Sequence, residues 1–356
     1  MQSYTDLPAS AQTAYAQLFD AALAADHARS VSDLSGSFAA KTVKGRRYWY
    51  YQCTQPSGVL TQNYVGPDSP AVRQLIAGAK EPGALAALEP LIHVAHVLGC
   101  ATFVPKHERV LRRLAEYGFF RAGGILVGTH AFLAYGNMLG VAWNRPGLTH
   151  DLDFAHAGRA ISLALPTTLE VKTSAAIDSL TMGFLPITQL AGKSGATFLN
   201  PKEPEFRLDF LTTRHRGGAE PFFHPQLNVV LQPLPFMEFS LEHVEQAVVF
   251  SREKAVLVNV PDPARFALHK LIVYGERTGS YRAKASKDLV QSASLLAYLW
   301  EHQRRTVKAA LDDLHGRGKG WASRFAVGAH ALLKAHPALG KVEGLAMALL
   351  PKRGRG

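Results

Sequence analysis

Apolar residues recur at helical spacing from residue 8 to 28, where alanines alternate with Leu18, Phe19 and Leu23, and this spacing predicts a first helix. The period then changes. In KTVKGRRYWYYQCTQPSGVLTQNYVGPDS, aromatic and β-branched runs flank QPSG, which predicts two or three strands with a turn. Residues 71 to 117 return to a helical pattern, and KHERVLRRLAEYG closes a helix on Gly118. GGILVGTHAFLAYGNMLGV reads as a short buried strand, a Gly-Thr turn and an apolar helix starting near His130, with LTHDLDFAH as the next strand. Residues 159 to 199 mix helix and strand signals. FRLDFLT and LNVVLQPLPFMEFSL read as strands, the second interrupted by prolines. DPARFALHKLIVYGERTG and KASKDLVQSASLLAYLWEHQRRTVKAALDDLHGRG read as long amphipathic helices, and the remainder is helical with a basic tail, PKRGRG, that frays.

This order of elements predicts an α+β chain in three parts. Residues 1–117 form a helical and β-containing region with a basic aromatic segment, 118–260 a mixed-sheet core, and 261–356 a helical C-terminal domain. A chain of 356 residues with 47% hydrophobic content can bury a sizeable core and is long for one small domain. Lys and Arg number 39 against 28 Asp and Glu, a net charge of +11. Such a balance suits polyanionic partners, and equally a surface kept basic for solubility. Cys53 and Cys100 lie far apart and outside metal-ligand spacing, so neither a disulfide framework nor a zinc site is expected. The N-terminus lacks a basic then apolar signal pattern, and the run from Pro90 to Val104 is broken by His93 and His96. It is shorter than the roughly 20 residues a spanning helix needs and reads as a core helix. A cytoplasmic protein without a membrane partner is the expectation.

Candidate chemistry begins with DLD. Period-two geometry sends Asp151 and Asp153 to one face of a strand, with Leu152 and Phe154 on the other. Two carboxylates this close repel unless a cation lies between them, and oxygen-only ligands suit Mg2+ or Mn2+, which bind through one or two carboxylates plus substrate phosphates. Upstream, the Gly128-Thr129 turn opens a helix, so free backbone N–H groups face whatever anion sits there; glycine permits close approach and the Thr129 hydroxyl adds a donor. An ordinary strand-to-helix turn with a Thr cap is the plainer reading of the same residues. Alternation in FRLDFLT makes Asp209 a third acid able to stand beside the pair and to take a proton from an attacking hydroxyl; Asp178 competes, but AAIDSLT has no strand alternation around it. His130, His150 and His156 match no zinc pattern, and His150 reads either as a residue supporting the acids from behind or as a packing residue.

Strand, Gly-Thr turn, helix, Asp-x-Asp strand and a later strand with a lone Asp resemble the nucleotidyltransferase core of the polymerase-β superfamily. LVGTHAFLAYGNMLGVAW, THDLDFA and the N-terminal GRRYWYYQ and TQNYVGPDS are similar to a bacterial branch related to the abortive-infection nucleotidyltransferase toxins, over roughly Ser37 to Leu299. The resemblance implies that Gly128 and Thr129 hold the triphosphate of a bound NTP, that Asp151 and Asp153 hold two Mg2+ ions, and that Asp209 joins them as metal ligand and activator of the acceptor. It also implies roles for Lys270 at the triphosphate, and for Asp288, beside Lys287, in orienting that lysine or acting near the acceptor. Two features depart from the pattern: the turn is Gly-Thr, and the gap from Gly128 to Asp151 is long. Arg277, Arg282 and Lys284 read as a solvated helical charge pattern.

The resemblance, together with these residues, implies a Mg-dependent nucleotidyltransferase that moves NMP from an NTP to an acceptor hydroxyl. The basic charge and the interleaved Lys41, Lys44, Arg46, Arg47 and Tyr48–Tyr51 lean toward an RNA acceptor, with a tRNA 3′ end one form of it. Kinship to the toxins implies a defence role and an antitoxin partner. Three rivals stay open: transfer to a protein hydroxyl, a glycosyltransferase using the same Asp-x-Asp, and a non-catalytic module that binds nucleic acid.

Overall fold

A computed structural model of the chain describes residues 3–27, 37–54, 60–78, 85–144, 149–157, 171–188, 194–214, 218–277 and 282–350. The basic tail, and residues 159–170 and 189–193 of the segment with mixed signals, lie outside these ranges. In chain order the elements are β1 (Tyr4–Asp6), α1 (Ala9–His27), β2 (Ser37–Val43), β3 (Arg46–Thr54), β4 (Leu60–Pro67), α2 (Pro70–Gly78), α3 (Leu88–Val97), α4 (Pro105–Glu116) and β5 (Gly124–Val127). Then come α5 (Gly128–Met138), β6 (Val141–Trp143), β7 (Leu152–His156), α6 (Thr173–Asp178), β8 (Leu185–Thr188), β9 (Ser194–Asn200), β10 (Glu203–Thr213), β11 (Phe222–His224) and β12 (Val229–Leu234). The chain continues through α7 (Met237–Leu241), β13 (Val244–Phe250), β14 (Ala255–Pro261), α8 (Pro263–Glu276), α9 (Arg282–His302), α10 (Arg304–Gly316), α11 (Lys319–Ala335), α12 (Pro337–Gly340) and α13 (Leu345–Leu349).

The architecture is α+β, built on a mixed sheet of seven strands with order β11-β12-β10-β7-β5, to which β9 adds along the N-terminal half of β10 and β8 pairs with β9. β10 runs parallel to β7 and β12, whereas β5 is antiparallel to β7. Alternation divides the central strands cleanly. Leu152, Phe154, Leu208 and Phe210 are fully buried on one face, where the Phe154 and Phe210 rings stack at 5.2 Å, and the residues between them are left for the other face. The helices α8, α9 and α11 pack on one another, and their Leu268, Leu271, Leu296 and Leu332 belong to the same buried cluster as the sheet. Asp262 caps α8 by accepting from the Arg265 N–H, with Pro263 at the first helical turn.

Three expectations change. MEFSL is a helical turn, not strand: Phe236 adopts φ +65°, which ends the extended run after Pro235 and swings Met237, Phe239 and Leu241 into the core. VEQAVVFSREKAVLVNVP, to which periodicity assigned no element, is the β13–β14 hairpin. The core helix expected up to Val104 stops at Val97, and Val94 and Val97 stand exposed.

Candidate active site

Asp153 and Asp209 are Cα partners in the parallel pairing of β7 with β10, so their side chains leave the same face of the sheet. On the far side of β7, Asp153 is registered against Val127, the last residue of β5. The chain turns there. Gly128 has φ +65° and begins α5, and a Cβ on it would meet Asp153 Oδ2 at 2.0 Å. Only glycine gives both the left-handed backbone and the space for the carboxylate. Thr129 is buried and its hydroxyl accepts a hydrogen bond from Gln291 Nε2 of α9 at 3.2 Å, which joins the start of α5 to the C-terminal helices.

Asp151 precedes β7 and is drawn to Arg207, which reaches both of its carboxylate oxygens at 2.9 and 3.2 Å. Arg207 lies two residues before Asp209 on the same face of β10, so the pair brings Asp151 to the edge of the Asp153–Asp209 couple. Asp209 accepts a hydrogen bond from the Thr197 hydroxyl, its partner across β9. A recess of about 230 Å³ lined by Gly195, Thr197, Asp209, Leu211 and Gln232 opens beside it. A second, of about 450 Å³, is lined by Lys106, His150, Glu203 and Phe206.

Burial, then the Asp209 charge, pushes the Asp153 carboxyl up to about 6, against the pull of Lys270. Lys287 is lowered from the usual lysine value, first by burial and next by Lys270, while Asp153, Asp288 and Asp151 oppose the shift. These mutual influences put two lysines of the C-terminal helices within electrostatic reach of the sheet acids. Lys270 Nζ donates to the buried Asp288 at 2.8 Å, and Asp288 also accepts from Arg277. Arg277 is therefore not a solvated charge as its helical spacing suggested; it answers a buried carboxylate. The side chains of Arg282 and Lys284 lie outside the described residues. Asp178 is exposed at the end of α6.

The histidines separate as well. His130 is bonded to His107 at 2.9 Å inside the core, where burial holds both well below the usual histidine range, and His156 sits within 3.0 Å of the Ala122 carbonyl. His150 is not a packing residue: it stands half-exposed, 3.9 Å from Glu205. Sequence reading missed Arg207, Thr197 and Gln291. Arg207 carried a signal, since it shares the face of Asp209 in FRLDFLT; the other two depend on contacts between distant segments.

Among the described residues, no group of three His, Cys, Asp or Glu forms a ready metal cage. The donor chemistry nevertheless suits a hard divalent cation that keeps waters and takes phosphate oxygens. Asp153 and Asp209 offer a close oxygen pair, and Asp151 is engaged by Arg207.

A mixed sheet carrying paired acids behind a glycine turn at a helix start, closed by lysines from a helical layer, has the form of a nucleotidyl-transferring enzyme. The nucleotidyltransferase family model matches residues 106–315, well over half of the chain, and the chain belongs to that family of transferases. The match runs from α4 to α10 and so includes every residue of the acidic cluster and both lysines. No curated protein matches the chain. The crystal structure of an antigenic nucleotidyltransferase-like protein from Paracoccidioides brasiliensis aligns with 68% of this chain and 92% of its own, at 14% identity and a TM-score of 0.31. Among the described residues no helix is long and apolar enough to cross a membrane.

Proposed function

We propose that the protein transfers NMP from an NTP to a hydroxyl of RNA, and that the reaction takes place at Asp153 and Asp209. The observation that carries the reading is their register pairing on one sheet face, directly against the Gly128 turn and opposite Lys270 and Lys287. Mg2+ or Mn2+ held by Asp153 and Asp209, with Asp151 completing the set, would neutralise the polyphosphate and the departing pyrophosphate. Backbone N–H groups of Gly128 and Thr129 at the α5 start receive phosphate oxygens. Lys270, positioned by Asp288, and Lys287 supply mobile positive charge to the same oxygens. Asp209, with one oxygen held by Thr197, accepts the proton of the acceptor hydroxyl. The acceptor oxygen bonds to the α-phosphorus, the bond from that phosphorus to the bridging oxygen breaks, and pyrophosphate leaves. Such catalysis is mainly positioning and charge neutralisation, which few side chains can provide.

Net charge of +11 supports a polyanionic acceptor. The test is to incubate purified protein with each α-labelled NTP, Mg2+ and total RNA, then resolve RNA from protein. Label in RNA, lost in Asp153→Asn and Asp209→Asn, is the expected result; label in protein would move the acceptor to a protein hydroxyl, and no label would overturn the reading. A toxin role checked by an antitoxin rests on the resemblance to abortive-infection proteins, and growth arrest on induction, abolished by Asp153→Asn, tests it.

A further inference from the structure

The three-stranded sheet β2-β3-β4 stands before the family match and takes no part in the acidic cluster. From Ser37 to Pro67 the chain contains Lys41, Lys44, Arg46 and Arg47 and no Asp or Glu. Its two faces differ. On one, Arg47 stacks over Trp49 at 4.7 Å, Trp49 Nε1 donates to Asp68, and Asp68 is clasped by Arg73 of α2, so this side is anchored to its own flanking helix. On the other, register places Lys41 beside Tyr48 and Tyr50 beside Tyr64. The rings of Tyr48 and Tyr50 lie 6.2 and 5.6 Å from Tyr64, and Lys41 Nζ is 5.1 Å from the centre of Tyr50. A tyrosine face packed on a core would be buried. None of these three is, and Tyr64 is 59% exposed.

We infer that the Tyr48, Tyr50 and Tyr64 face, with Lys41, is a stacking platform for single-stranded RNA, the acceptor class of the proposed transfer. One exposed and two partly exposed rings give π-faces to successive unstacked bases, and a sheet with four cations and no acid follows a phosphate backbone. Duplex nucleic acid does not fit, because its bases are already stacked. A protein partner would gain little from a surface of one sign, which favours the polyanion. The acceptor role rests on the transfer reading above; the binding itself does not.

The experiment uses the full chain, without nucleotide, and a fluorescein-labelled single-stranded oligouridylate read by anisotropy. Tyr50→Ala with Tyr64→Ala is expected to weaken binding about tenfold or more, since each lost base stack counts. Tyr50→Phe with Tyr64→Phe keeps the rings and stays within about twofold. Should the alanine pair disturb the sheet, Lys41→Gln, an exposed change, still weakens binding and lowers the slope of log affinity against log salt by about 0.7. Unchanged affinity in the alanine pair and in Lys41→Gln overturns the platform, as does binding to anionic phosphatidylserine vesicles without binding to the oligonucleotide. The labelling assay on the unaltered chain separates the two ideas. If no label reaches RNA while the tyrosine-dependent binding persists, the transfer reading falls and the platform stands; if label reaches RNA with the same KM in the tyrosine variants, the platform falls and the transfer reading stands.

Discussion

The Asp153 carboxylate occupies the space into which a side chain on Gly128 would grow, with Oδ2 2.0 Å from the ideal Cβ position. The backbone of Gly128 is also left-handed, at φ +65°. Gly128→Ala therefore meets a clash and an unfavourable backbone at once, and is expected to cost about 2–4 kcal/mol of stability and at least a hundredfold in kcat/KM. Gly318→Ala, at φ +103° with open space around it, isolates the backbone contribution and should cost about 1 kcal/mol with activity retained. Thermal unfolding and initial rates of label transfer check both.

The raised Asp153 sets a pH dependence for the metal-free protein. Between its ordinary value of 3.8 and about 6 the folded chain keeps a proton that the unfolded chain has released. Stability then falls as pH rises through that window, and above it the cost of the buried charge is fully present. Asp153→Asn removes the charge. In chelator at about pH 7.5 it should be more stable than the parent by about 1–3 kcal/mol, with the gain vanishing near pH 4, while transfer is lost. Denaturant titrations at the two pH values measure this.

Arg207 competes with any cation for Asp151. The pair is partly exposed, at 35% and 27% of the side chains, so Arg207→Gln should change stability by less than about 1 kcal/mol. The site becomes more negative, however, and nucleotide-free Mn2+ binding should tighten about fivefold by calorimetry. Transfer falls, because the carboxylate is no longer oriented.

Asp288 is buried and answers two cations. Asp288→Ala leaves Lys270 and Arg277 facing each other without a counter-charge and is expected to cost about 3–5 kcal/mol. Asp288→Asn preserves the shape, folds better, and should raise the KM for NTP more than it lowers kcat, since it loosens Lys270 without touching the sheet acids. Steady-state kinetics on the two variants distinguish loss of fold from loss of positioning.

Much of this arrangement was legible along the chain because strands impose period two. Alternation alone puts Asp151 with Asp153 and separates Asp209 from Leu208 and Phe210, and register then makes Asp153 and Asp209 neighbours. What alternation cannot supply is a partner. Arg207 lies 56 residues from Asp151, and Thr129 lies 162 residues from Gln291, so neither hydrogen bond has a local signature. Arg277 looked solvated because helical spacing gives no view of Asp288 on the next helix.

Elements were missed for similar reasons. Apolar residues continue at helical spacing across His302, and the chain breaks between α9 and α10 at Gln303 (φ −136°, ψ 39°), where neither Pro nor Gly marks the boundary. PFMEFSL satisfies strand alternation as well as a single buried turn, and the left-handed Phe236 decides between them. The β13–β14 hairpin carried its own turn, SREK, between two apolar runs, but alternation at its start is weak.

Helix α9 contributes Lys287 and Asp288 to the charge balance and, one turn later, Gln291 to the threonine that opens α5. The surroundings of the sheet acids are thus made in part from C-terminal sequence. A fragment ending before residue 282 would keep Asp151, Asp153, Asp209 and Lys270 but lose Lys287, Asp288 and Gln291, so the sheet and α9 must be inherited and engineered as a unit.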